Sequence, residues 1–206
     1  VDTGRWEHPA PDRVHRWFDE LGPRFVLFVG RLVYYKGIDV LLEAVRGTEL
    51  RVVIAGDGPM RTEWETLCRV LGLGGQVRFL GEVDDETLPS LYAAARAFVL
   101  PSQAASEAFG LVQLEAMAAG LPLVVTRASG GVESIHVADE TALLVDRDDV
   151  DGLRRALSRV WDDDVLARRL GEAARKRVRA FYEREHSVDR IEALLAQAAT
   201  GRITAP

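Results

Sequence analysis

Apolar residues in this chain fall into short unbroken runs separated by longer amphipathic stretches. Six runs read as strands: Phe25–Val29, Arg51–Ala55, Val77–Leu80, Ala97–Leu100, Leu123–Thr126 and Ala142–Val145. Each is rich in Val, Leu, Ile or Phe. None alternates with polar residues, the pattern of strands covered on both faces. Helical patterns lie between them at about Gly37–Val45, Met60–Leu71, Asp85–Ala95 and Glu107–Ala118, with a short turn near Val132–Ile135. After the sixth strand come Val150–Trp161, Val165–Ala180 and a last helix near Glu183–Ala198. Strand–helix alternation of this kind predicts an α/β, Rossmann-like domain. Its six-stranded parallel sheet carries helices on both faces, reached by right-handed crossovers.

Punctuation agrees with these boundaries. Gly30 ends the first strand, and Gly56-Asp57-Gly58-Pro59 ends the second, with Pro59 suited to a helix start. Asp84 is placed to cap the third helix, and residues 102–106 form the loop before the fourth. Residues 1–23 contain prolines and charges and read as an inter-domain linker with a short helix around Val14–Leu21. The expected division is therefore linker 1–23, domain 24–181 and a C-terminal helix over 182–206.

Composition narrows the function classes. With 48% apolar and 28% charged residues the chain is an ordinary globular one. A net charge of −6 argues against nucleic acid, whose phosphates demand clustered Lys and Arg. The one basic stretch, from Arg168-Arg169 through Arg175-Lys176-Arg177 to Arg179, is interrupted by Glu172 and reads as a solvated helix face. Cys68 is the single cysteine, which excludes an internal disulfide or a cysteine-based metal site, and it reads as a small buried filler. No apolar run approaches the ~20 residues of a membrane span, and no stretch reads as a signal peptide. The expected location is cytoplasmic. A start at Val1 rather than Met suggests a piece of something longer.

Candidate chemistry gathers at the carboxyl ends of the strands, where open parallel sheets bind ligands. In Gly30-Arg31-Leu32-Val33-Tyr34-Tyr35-Lys36-Gly37, the guanidinium and ammonium groups flank an irregular loop, a natural clamp for a diphosphate or simply solvated surface charges. Gly56-Asp57-Gly58-Pro59-Met60-Arg61 lacks the third glycine of a dinucleotide fingerprint, so a turn and helix start suffice to explain it. Phe109-Gly110-Leu111 would present backbone N–H groups at a helix N-terminus. Glu107 and Glu115 lie eight steps apart on that helix, roughly 12 Å at 1.5 Å per residue. They could hold hydroxyls at both ends of one extended ligand, or serve the helix dipole and face solvent. Ala128-Ser129-Gly130-Gly131-Val132-Glu133 makes another edge of the cleft or merely turns the chain. His8, His15, His136 and His186 show no metal spacing; only His136 sits near the presumed cleft.

Gly30-Arg31 … Lys36-Gly37, Ala55-Gly56-Asp57-Gly58-Pro59, Phe79-Leu80-Gly81, Leu100-Pro101-Ser102, the Glu107 and Glu115 pair and Gly130-Gly131-Val132-Glu133 occur in that order. In this the chain resembles the C-terminal, donor-binding domain of the retaining glycosyltransferases of family 4, which adopt the GT-B fold. The likeness covers nearly the whole chain. It departs in the Gly-Gly-x-Pro-Glu loop, where Val132 stands directly before Glu133 without the proline.

The resemblance implies catalytic roles for Arg31, Lys36 and Glu107. Arg31 and Lys36, with Gly30, would hold the donor diphosphate and neutralise the leaving group. Glu107 would hold hydroxyls of the transferred sugar, with backbone contacts from Phe109, Gly110 and Leu111. Glu115 would accept from the ribose hydroxyls, and Val83 would border the base. It implies no metal and no cofactor beyond the nucleoside-diphosphate sugar donor. The stretch Leu-Val-Tyr-Tyr-Lys-Gly is similar to mannosyltransferases of surface-polysaccharide assembly, making GDP-mannose the first donor to consider, with UDP-glucose and UDP-N-acetylglucosamine as alternatives. The acceptor, a glycan or a lipid-linked one, would meet a missing N-terminal domain, onto which a last helix around Tyr182–Leu195 would pack. Peripheral association of a longer protein with the inner face of a membrane stays open. So do a non-catalytic nucleotide-binding module and a sugar-nucleotide epimerase of the same fold.

Overall fold

The computed structural model describes residues 1–103, 110–127 and 134–184. Six strands form one sheet: β1 Val26–Val29, β2 Val52–Ala55, β3 Val77–Gly81, β4 Ala97–Leu100, β5 Leu123–Thr126 and β6 Leu143–Val145. All neighbours pair in parallel, in the order β3-β2-β1-β4-β5-β6. The chain is thus the predicted six-stranded Rossmann-like α/β domain. Four strands, β1, β2, β4 and β5, are buried at every position. That explains why they read as continuous apolar runs: each side chain meets a helix layer on one face or the other. At the edge, β3 exposes Arg78, which pairs with Glu20.

The helices are α1 Gly4–Glu7, α2 Pro11–Leu21, α3 Ile38–Val45, α4 Arg61–Val70, α5 Leu88–Ala94, α6 Leu111–Ala119, α7 Val150–Asp162 and α8 Asp164–Tyr182. Crossovers from β1 to β3 run one way along the sheet and those from β4 onward run the other. With right-handed connections this places α3 and α4 on one face and α5 and α6 on the opposite one. The last two helices close the layers: α7 packs on α3, and α8 packs on α6.

Three local expectations are corrected. Residues 1–23 form two helices, and α2 starts at Pro11 rather than Val14. Trp6 is buried edge-on against Tyr92 with ring centroids 5.2 Å apart, and the Trp17 indole donates to Ser90 Oγ at 3.0 Å. This segment therefore adds to the hydrophobic layer over α5. Asp84 caps a turn rather than a helix: its carboxylate accepts from the Thr87 N–H at 2.8 Å, and α5 begins only at Leu88. The third concerns the arginine-rich stretch of α8: Arg168, Arg169, Lys176 and Arg179 are exposed as expected, but Arg175 and Arg177 are half-buried and bonded to neighbouring elements. Arg175 donates to the carbonyls of Ala118 and Ala119 at the end of α6, Arg177 to that of Ile135 and Arg169 to that of Asp139. Helix C-termini leave carbonyls without intrahelical partners, and guanidinium groups supply donors for them. Cys68 is 4% exposed, as a filler should be, and burial pushes its thiol pKa up.

Candidate functional site

The strand order reverses between β1 and β4, so the crevice outside their carboxyl ends is the place where such a sheet takes a ligand. The loop after β1 carries Arg31 and Lys36 there. Leu32 N–H donates to Asp57 O at 2.9 Å and Met60 N–H to Leu32 O at 3.0 Å, so the loops after β1 and β2 are laced together. Gly56 N–H in turn donates to Gly81 O at 2.7 Å, tying in the end of β3. These three loops enclose an open cleft of about 610 Å³, walled by Gly30, Arg31, Asp57, Glu82, Val83 and Leu88 among others.

Arg31 is exposed at the cleft, whereas Lys36 is buried at 7% exposure. The Lys36 ammonium lies against Gly30, 3.7 Å from where a Cβ on that glycine would stand, and 5.7 Å from the centre of the Tyr35 ring. The two cations of the loop thus differ in setting: a buried ammonium beneath the backbone and an exposed guanidinium on the cleft wall. Gly37 makes this arrangement possible. Its φ of +66° is left-handed, and a Cβ there would stand 2.0 Å from the Pro101 carbonyl of the loop after β4.

Gln103 bolts the same corner. Its N–H donates to Tyr35 O at 2.7 Å, its side-chain amide to Pro101 O at 2.6 Å, and its Oε1 accepts from the Asp148 N–H at 2.9 Å. One residue joins the loops after β1, β4 and β6. Nothing in the sequence pointed to Gln103, because a polar residue in a loop reads as solvated.

The helix after β4 begins at Leu111, four residues later than the expected Glu107, with Gly110 in the left-handed region at its N-cap and no side-chain cap. Leu111 is 65% exposed at that terminus, so the end of the dipole and its backbone N–H groups open outward. Glu107, Phe109 and the loop over 128–133 lie outside the described residues, as does nearly all of the expected last helix. The Glu107 to Glu115 separation is therefore one expectation on which the described geometry is silent.

Glu115 is not among the residues walling the pocket formed by the loops after β1, β2 and β3; it belongs to the neighbouring α6 side of the crevice. It sits one turn inside α6, half-buried against α5, where its Oε2 accepts from the Tyr92 hydroxyl at 3.0 Å. Burial raises the carboxyl pKa, opposed by the Tyr92 hydrogen bond and the Arg5 charge, while Asp85 adds to the rise. A carboxylate facing bulk water, the simpler alternative, is not what the fold makes of it. Tyr92 is fully buried, stacked on Phe98 and four residues beyond Leu88 on the cleft wall.

His136 is buried at 7% exposure, with Nε2 2.7 Å from Gln113 Oε1. An amide oxygen only accepts, so Nε2 carries the proton, and Nδ1 is buried without a hydrogen-bond partner among the described residues. Burial first, then the Arg177 charge, lowers its pKa to about 4. It is a core histidine. Beyond β2, Arg61 pairs with Asp57 at 2.7 Å and Glu65 at 2.8 Å, taking the place of the missing third glycine with an ion-pair ladder. Among the described residues no group of three or more His, Cys, Asp or Glu side chains converges as metal ligands, and no helix is long and apolar enough to cross a membrane.

Comparison with known proteins agrees with this architecture. The chain is 38% identical over 182 residues to the D-rhamnosyltransferase WbpZ of Pseudomonas aeruginosa, covering 88% of this chain and 48% of that protein. It is 33% identical over 177 residues to the O-antigen chain mannosyltransferase C of Escherichia coli, covering 86% and 47%. The chain thus spans about half the length of these curated relatives. Among solved structures it is similar to the C-terminal domain of a glycosyl transferase group 1 family protein, LpcC, from Francisella tularensis. That likeness has a TM-score of 0.76 and 27% identity, over 89% of this chain and 99% of the other. The family model described as "Glycosyl transferases group 1" matches residues 15–177, and the chain belongs to that family.

Proposed function

We propose that this chain is the donor-binding half of a retaining hexosyltransferase and that it takes a nucleoside-diphosphate sugar at the carboxyl edge of the sheet, in the cleft walled by the loops after β1, β2 and β3 and across the adjoining start of α6. The observation that carries the reading is that the Arg31 and Lys36 loop and α6, whose N-terminus has no side-chain cap, follow the adjacent strands β1 and β4 at the strand-order reversal. A diphosphate is the ligand that such a pairing suits. Backbone N–H groups and the helix dipole favour anions, and a guanidinium beside a buried ammonium gives bidentate and point-charge contacts together.

In this reading the bond between the sugar anomeric carbon and the diphosphate oxygen breaks as an acceptor hydroxyl oxygen bonds that carbon and gives up its proton, and charge develops on the departing diphosphate oxygen. Arg31 and Lys36 stabilise it without a metal, because they are already in place when the charge appears. Glu107 holds hydroxyls of the transferred sugar, with backbone contacts from Phe109, Gly110 and Leu111. Glu115 accepts from the ribose, and Val83 borders the base beside Leu88 on the cleft wall. Relatives named as a rhamnosyltransferase and a mannosyltransferase support a hexosyl donor, and GDP-mannose is the first to test. The acceptor, a glycan or lipid-linked one, engages a further domain, so the chain by itself binds donor without efficient transfer.

Calorimetric titration with GDP, UDP and ADP, each alone and as its sugar conjugate, tests the reading. Selective binding of one nucleotide, unaffected by EDTA, is the expected result. Silence with all of them would overturn it.

A further inference from the structure

Tyr92 and Glu115 come from two different helices, α5 and α6, and the contact between them is not a generic packing contact. The Tyr92 ring has no freedom: it is fully buried, Trp6 meets it edge-on at 5.2 Å, and Phe98 stacks on it at 5.8 Å. Its one hydroxyl proton has two acceptors within reach, Glu115 Oε2 at 3.0 Å and Val112 O at 3.2 Å. An ionised carboxylate is the stronger acceptor and takes it. One carboxylate oxygen is then committed to a rigid donor, and the other is left to a ligand.

We propose that Tyr92 is a positioning residue for the donor ribose, its hydroxyl fixing the Glu115 carboxylate so that the remaining oxygen meets the ribose hydroxyls. The inference rests on the donor-site reading above and deepens it. It also gives the N-terminal segment a part in the site, since Trp6 braces the Tyr92 ring and Arg5 supplies positive charge toward Glu115. The charged and titratable groups acting on the carboxyl are Tyr92, Arg5 and Asp85, and the first two favour its ionised form. Removing the hydroxyl leaves burial less opposed, so the carboxyl protonates at higher pH.

The test compares GDP and UDP with their 2′,3′-dideoxy analogues on the 206-residue chain and on Tyr92→Phe. The variant keeps the ring and its packing. Ribonucleotide affinity should fall about tenfold, in the range of one charge-assisted hydrogen bond. Affinity for the dideoxy analogue should stay unchanged. The acid limb of ribonucleotide binding should also move to higher pH. Equal losses for the two nucleotides, or no loss for either, would overturn the positioning role. If Tyr92→Phe lowers the melting temperature, the double-variant cycle with Glu115→Gln decides. Tyr92→Phe should then add no further ribonucleotide loss in the Glu115→Gln background, and additive losses would overturn the proposal. A wild-type chain that binds no nucleotide would sink the donor-site reading and this inference with it. A wild-type chain that prefers ribonucleotides while Tyr92→Phe behaves like it would sink this inference alone.

Discussion

His136 makes the stability of this fold sensitive to mild acid, and the size of the effect follows from its surroundings. Nε2–H is used by Gln113, whose side chain is itself fully buried, so charging the ring means placing a second proton on Nδ1, which has no acceptor among the described residues. Burial and the nearby Arg177 hold the pKa at about 4 against an ordinary value of 6.5. Between these two values the unfolded chain binds the proton and the folded one does not. Stability therefore falls as pH falls through that window and is regained as pH rises above it. Integrating the linkage from about pH 7.5 to about pH 4.5 gives a loss of about 2.5 kcal/mol from this residue. That is a sizeable share of the roughly 5–15 kcal/mol that holds a typical domain together. Urea unfolding at the two pH values, for wild type and His136→Gln, isolates the term. Contributions from other groups, Glu115 with its opposite sign included, are common to both proteins and cancel in the comparison. The wild type should lose about 2.5 kcal/mol more than the variant on acidification. Equal losses would show that His136 does not stay neutral in the fold, and the reasoning from burial would fail.

Gly37→Ala puts a Cβ 2.0 Å from the Pro101 carbonyl at a left-handed φ. It should lower stability by more than the roughly 1–2 kcal/mol of the backbone term alone, and weaken nucleotide binding by moving Lys36, as thermal melts and calorimetry would show. Arg175→Ala strips the carbonyls of Ala118 and Ala119 of a charged donor. Urea unfolding should register about 1–3 kcal/mol, with nucleotide affinity at the cleft unchanged. Glu115→Ala should weaken nucleotide binding by roughly 1–3 kcal/mol while circular dichroism stays that of the wild type; unchanged affinity would remove Glu115 from the site.

Some of this protein was determined by its sequence alone. Strands buried on both faces cannot tolerate polar residues, so Val26–Val29, Val52–Ala55, Ala97–Leu100 and Leu123–Thr126 announce themselves as apolar runs, and their alternation with amphipathic stretches implies parallel pairing. The clustering of charge and glycine at Arg31, Lys36 and Gly37 was equally visible, because it lies within a few residues of sequence; its part in donor binding is the proposal made above. What the tertiary structure decided are relations between residues distant in sequence. Tyr92 and Glu115 meet because α5 and α6 lie side by side, and neither residue alone signals the other. Arg175 and Arg177 look solvated on a helix wheel, yet their targets are carbonyls some 40 to 60 positions away. His136 reads as a cleft residue from its neighbours along the chain but is enclosed by Gln113 and the core. Local pattern encodes which face of an element is buried. Which partner a polar group finds there depends on packing between elements, and that is set only when the layers close.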